Sequence, residues 1–314
     1  MLFLVNYFFK FIVFQTPILF LIFNRPDTTK LVFESIRSIK PAKLYIAADG
    51  ARKDKGGEDL ICIETRNIVN QIDWNCEIKT LFRTENLGCK IAVSSAIDWF
   101  FENEEQGIIL EDDCLPDISF YSYCETLLKH YSTNERIMHI SGNNFQDGIV
   151  RSNGSYYFSN YNHIWGWATW KRAWNKYKVN LDFLTETEII KLIDRQFVSK
   201  KERLFWFQIF NKVCKPTIGT WDYQWTFAIW SNNGLSILPN QNLVSNIGFN
   251  NNSTHTSGID LLGLSNMQTF SISNIIHPNI IEINKKADKY GLDYYFNPSK
   301  ILYLRKKIIH YLKN

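Results

Sequence analysis

The sequence predicts an α/β protein with a mostly parallel central sheet flanked by helices. Three features carry this expectation: short apolar runs, amphipathic helical stripes between them, and polar residues where each run stops. A short continuous apolar run suits a strand buried on both faces, as parallel strands are. Strands alternating with helices through short loops imply right-handed crossovers. Ligands of such sheets bind beyond the carboxyl ends of the strands.

The elements follow in order. Pro17 to Phe23 reads as the first strand and stops at Asn24-Arg25-Pro26. Asp27 can cap the next helix, whose stripe is Leu31, Val32, Ser35, Ile36 and Ile39, and Pro41 ends it. "KLYIAADG" is the second strand, closing at Asp49-Gly50. A polar loop leads to a helix with Leu60, Ile61, Ile68, Val69 and Ile72 on one face. "CEIKTLFR" alternates as the third strand and ends at Arg83; "ENLGCK" turns into a helix carrying Val93, Ala96, Ile97 and Phe100. "GIIL" is the fourth strand, and "RIMHISGNN" reads as a fifth. Beyond about residue 176 the pattern turns irregular, aromatic and Asn-rich, which suits a lobe closing over the site.

Composition narrows the class. A net charge of +4 is too small to argue for nucleic acid as the main partner, but suits anionic ligands or a membrane surface. The six cysteines show no C-x-x-C pair and no zinc spacing, so they read as reduced thiols of a cytoplasmic protein. The ten tryptophans cluster late; a packed aromatic core is their default reading, although flat rings also suit the faces of sugars. Residues 1–14 form a hydrophobic lead-in without the basic start and small-residue cleavage site of a signal peptide.

The chemistry concentrates in "GIILEDDCLPD". Glu111, Asp112 and Asp113 are crowded at the end of a buried strand, which is costly unless a cation sits there. A divalent ion is commonly held by one or two carboxylates plus phosphate oxygens of a substrate. A solvated acidic turn capping the next helix is the competing reading. Asp49 can accept hydrogen bonds from a base edge or ribose, and Arg25 can face a base or phosphate. Gly88 allows a tight turn that aims helix amides at an anion, with Lys90 alongside. No P-loop or dinucleotide fingerprint is present, and no histidine or cysteine has the partner spacing of a nucleophile triad.

"TPILFLIFNRPD", "YIAADGAR", "ENLGCK" and "GIILEDDCLPDISFYSYCETLL", in this order, resemble the nucleotide-sugar-binding half of a GT-A glycosyltransferase. The similarity is to N-acetylglucosaminyltransferase I and its bacterial relatives, with the acidic triplet as their form of the DxD motif. It continues through "GWATW", "TWDYQW" and "LVSNIGFNNNSTHT", spanning residues 15–256; Tyr223-Gln224 departs from it where a second acid is expected. The resemblance implies roles. Asp113 would ligate Mn²⁺ or Mg²⁺ bridging a diphosphate, while Glu111 and Asp112 would face the sugar and ribose. Asn24, Arg25 and Asp49 would border uracil, Trp221 would wall the donor sugar, and His255 would reach the diphosphate or a closing loop. Asp222 would be the general base, with a buried acid paired to an indole as the alternative. Trp165 and Trp167 are candidates for the acceptor side, or else core.

The implied organisation is a nucleotide-sugar-binding half over 15–175, an acceptor-side half of the same domain over 176–283, and a basic amphipathic tail over 284–314. That tail can lie on an anionic membrane or dock on the domain. The implied activity is transfer of a sugar, GlcNAc being one candidate, from a UDP-sugar to a glycan or lipid-linked acceptor, with inversion. Two alternatives stand beside it: a sugar-nucleotide pyrophosphorylase, whose glycine- and lysine-rich N-terminal signature is missing, and a non-catalytic sugar-binding protein.

Overall fold

The computed structural model describes residues 13–215, 218–249 and 263–304. The expected architecture is present: a large, mainly parallel central sheet with helices on both faces. Its first part alternates strand and helix: β1 (Ile18–Ile22), α1 (Pro26–Ile39), β2 (Lys43–Ala48), α2 (Glu58–Asn67), β3 (Glu77–Phe82), α3 (Gly88–Asn103) and β4 (Gln106–Glu111). Then follow β5 (Cys114–Pro116), α4 (Ser119–His130), β6 (Ile137–Ser141), β7 (Tyr156–Ser159), β8 (Trp167–Trp170) and the short α5 (Lys171–Trp174). The remainder is α6 (Glu186–Gln196), α7 (Lys200–Val213), α8 (Asp222–Ser231), β9 (Leu235–Pro239), β10 (Val244–Asn246) and α9 (Lys285–Gly291).

The eight-stranded sheet has the order β3-β2-β1-β4-β8-β6-β9-β7. The four strands from β3 to β4 are mutually parallel, which puts their carboxyl ends on one edge. β8 runs antiparallel between β4 and β6. β9 pairs parallel with β6, and β7 closes the sheet antiparallel to β9. A separate two-stranded ribbon joins β5 to β10.

β1 explains why its sequence is uniformly apolar. Successive side chains of a strand point to opposite faces. Ile18, Phe20 and Ile22 pack with Val32, Phe33 and Ile36 of α1 and with α4. Leu19 and Leu21 pack on the other face with Ala96, Ile97 and Phe100 of α3 and with the tryptophans. That second cluster takes in Trp167, Trp174, Trp206, Trp221, Trp225 and Trp230, so most of the late tryptophans are core.

The helix faces need correction. Leu31 is 53% exposed and Leu60 68%, while Thr28, Thr29 and Phe33 on α1, and Cys62 and Thr65 on α2, are buried. Thr28, Thr29 and Thr65 thus share the inward positions with Val32, Phe33 and Ile36. Within "GWATW", Gly166 turns at φ 62° and Trp167–Trp170 form β8; four residues are too few to show a period. The segment 176–283 contributes β9 to the same sheet. Among the described residues no helix is long and apolar enough to cross a membrane. Most of the 1–14 lead-in and residues 305–314 of the basic tail lie outside the described residues.

Candidate functional site

The carboxyl ends of β1, β2, β3 and β4 open into a cavity of about 710 Å³, closed on the far side by α3, the β10 ribbon and the start of α8. Within it, the acids of the triplet are not equivalent. Arg25, just beyond β1, reaches Asp113 at the end of β4, Nη1 to Oδ2 at 2.5 Å. Its Nη2 lies 3.3 Å from Asp112 Oδ1. Asp112 is buried and also accepts the Phe23 amide at 3.0 Å on Oδ2. It therefore brackets β1 to β4 while also lining the cavity. The cation that the triplet demanded is, in the protein itself, this guanidinium.

Glu111 lines the cavity half-buried. Withdrawal from solvent pushes its carboxyl above the usual range; Asp113 adds to this, Arg25 opposes it, and Asp112 and Asp222 add less. Burial likewise raises the Asp112 carboxyl, against the pull of Arg25. Gly248 backs the Arg25–Asp113 pair so closely that a Cβ there would run into Asp113 Oδ2 and Arg25 Nη1. The ribbon holds it in place: the Ile247 amide donates to the Asp113 carbonyl at 2.8 Å, and the Gly248 amide to Asn246 Oδ1 at 2.9 Å.

Asp49 lines the cavity, but its oxygens are occupied. It accepts the amides of Gly50 (3.0 Å), Leu87 (3.0 and 3.1 Å) and Gly88 (3.0 Å). The carboxylate thus sits at the amino end of α3, where an anionic ligand was expected, and it suits the helix dipole there. Lys90 does not line the cavity; its Nζ donates to Asn180 Oδ1 at 2.9 Å. Asn24 does not line it either, and donates to Glu58 Oε1 at 2.8 Å. Glu58 is buried and in turn holds Arg52, a cavity arginine whose guanidinium lies over the Phe23 ring.

Trp221 and Asp222 line the same cavity, Asp222 near enough to Glu111 to help raise its carboxyl. Asp222 is the first residue of α8 and accepts the Thr220 hydroxyl. Trp221 is buried, stacks on Trp167 with centroids 5.7 Å apart, and shows an edge to the cavity. Trp165 lines the cavity half-buried. Trp167 does not: it is 0% exposed between His139 and Trp221, so it is core and not an acceptor platform. His255 lies outside the described residues.

Several cavity residues carried no role in the sequence reading: Arg52, Arg83, Asn86, Cys89 and Asn246. Arg83 was flagged only as a polar strand end. His139 and Ser141 do meet, at 3.0 Å, but the pair is no nucleophile. His139 is fully buried, accepts from the Trp225 indole at 3.1 Å and has no carboxylate to orient it. Among the described residues no group of three or more His, Cys, Asp or Glu side chains is placed to hold a metal ion by itself.

No family model matches this chain, and no curated protein matches it. Among solved structures it is similar to HddC from Yersinia pseudotuberculosis, at 10% identity and TM-score 0.32, over 52% of this chain and 80% of that one. It is also similar to 4-diphosphocytidyl-2C-methyl-D-erythritolsynthase from Anaerococcus prevotii, at 10% identity and TM-score 0.33, over 62% and 96%. A third is an apo-UDP-glucose pyrophosphorylase, at 8% identity and TM-score 0.33, over 71% and 90%. Likeness this remote transfers no residue roles.

Proposed function

We propose that this chain is a metal-dependent, inverting glycosyltransferase of the GT-A type that uses a UDP-sugar donor. The observation that carries the reading is that one cavity at the parallel sheet's carboxyl edge is lined by the acidic triplet, Arg25 and Asp222 together. Parallel sheets place ligands at this edge, and the ordered motifs described above supply the class.

The donor set fits a hard divalent cation. Asp113 offers one terminal carboxylate beside Glu111, and phosphate oxygens of the ligand complete such a site. When bound, the ion offsets charge on the leaving diphosphate. Arg25 stands next to the same position and pairs with phosphate as readily as with carboxylate. Asp222 takes the proton of the acceptor hydroxyl as the new sugar–oxygen bond forms and the bond to UDP breaks. A base opposite the leaving group means one displacement and inversion. The half-buried Trp165 offers an aromatic face on the acceptor side. The acceptor is a glycan or a lipid-linked glycan, which the basic tail would meet at a membrane surface.

The test is stabilisation by ligand, because a molecule that binds only the folded state raises the melting temperature. UDP-GlcNAc with Mn²⁺ is expected to raise it, and chelator or Asp113→Ala to remove the shift. No shift with any UDP-, GDP- or CMP-sugar would overturn the donor reading. Formation of a UDP-sugar from UTP and a sugar 1-phosphate would make the chain a pyrophosphorylase instead. Binding without turnover over an acceptor panel would leave a sugar-binding protein.

A further inference from the structure

Three arginines line the cavity, and two are neutralised: Arg25 by Asp112 and Asp113, and Arg52 by Glu58. The third, Arg83, follows β3 at the outer end of the strand edge. Among the described residues it has no carboxylate partner. Its backbone is fixed, with the amide donating to the Ala48 carbonyl at 2.9 Å and the carbonyl accepting from Arg66 Nη2 at 2.8 Å. Its side chain makes one bond, Nη2 to Ser95 Oγ at 2.6 Å. A guanidinium has five N–H donors, so most remain for a ligand.

Position says which part of a ligand it meets. β3 and β4 are three strand spacings apart, about 14 Å, the order of length of a nucleoside diphosphate. With the diphosphate at the triplet and Arg25, the base falls at β3. The wall between is small and apolar: Ala47 and Ala48 of β2, and Ala92 and Val93 of α3. Asp49, which also lines the cavity, already accepts the Gly50, Leu87 and Gly88 amides there. The Asn86 amide nitrogen is also committed, to the Gly50 carbonyl at 2.7 Å.

We propose that Arg83 anchors the nucleoside end of the ligand by donating to carbonyl oxygens of its base. The proposal rests on the nucleotide-sugar reading of the cavity. Calorimetric titration of UDP and of pyrophosphate, each with Mn²⁺, into the unmodified chain, Arg83→Ala and Arg83→Lys tests it. Arg83→Ala is expected to weaken UDP binding about tenfold or more, to leave pyrophosphate binding and the unliganded melting temperature unchanged, and Arg83→Lys to recover only part, lacking the planar fork. Unchanged UDP affinity in Arg83→Ala would overturn it. Equal loss of pyrophosphate would overturn it too, by showing that Arg83 holds phosphate. An unmodified chain that binds pyrophosphate but no UDP would overturn the donor reading itself.

Discussion

Arg25 bridges two neighbouring strand ends: its Nη1 lies 2.5 Å from Asp113 Oδ2 and its Nη2 3.3 Å from Asp112 Oδ1. One guanidinium therefore balances two acids.

Removing it leaves Asp112 buried without a cation. Arg25→Met should cost about 3–5 kcal/mol in urea unfolding, as breaking one side of a buried pair does. Gly248→Ala should cost about 1–3 kcal/mol by overpacking the same pair from behind. Wild-type stability in both variants would show that the pair is slack.

Asp222 separates catalysis from binding. Asp222→Asn should lower kcat about a hundredfold or more, as loss of a general base does. The melting-temperature shift with UDP-sugar and Mn²⁺ should persist. Loss of that shift with little change in kcat would move Asp222 to the donor side.

The two neighbouring tryptophans should behave differently. Trp167→Ala empties a fully buried site and should cost about 3–5 kcal/mol. Trp165→Ala should cost about 1 kcal/mol and act mainly on KM for the acceptor. Denaturant midpoints and acceptor titrations measure both.

His139 gives a pH dependence. Burial holds its imidazole down at about 3, against a carbonyl hydrogen bond from His163 that favours the charged form. The unfolded chain takes up this proton near pH 6.5, but the folded chain refuses it. The stability due to His139 is thus complete above that value and lost progressively as pH falls from 6.5 towards 3. Nitrogen-edited NMR at pH 5 should show a neutral ring protonated on Nε2, since Nδ1 accepts the Trp225 indole N–H. A charged ring at pH 5 would contradict the burial.

The parallel half of the fold was legible because burial on both faces leaves an unbroken apolar run, as in β1 and β4. The helix faces were less so: Thr28 and Thr29 face inward while Leu31 faces out, so hydropathy alone does not set the inward face. β8 was missed since its pairing with β4 and β6 is non-local and its four residues carry no period.

By itself the sequence determined the strand–helix alternation and the place of the acidic triplet at a strand end, since both follow from local pattern and from where an apolar run must stop. Tertiary structure alone decided what each polar residue does there. It gave Asp112 and Asp113 to Arg25, set backbone amides on Asp49, buried Trp167 but not Trp165, and left Arg83 without a counter-charge among the described residues. Those assignments depend on distances between strand ends far apart in the chain, and a carboxylate's role is set by which donors reach it first.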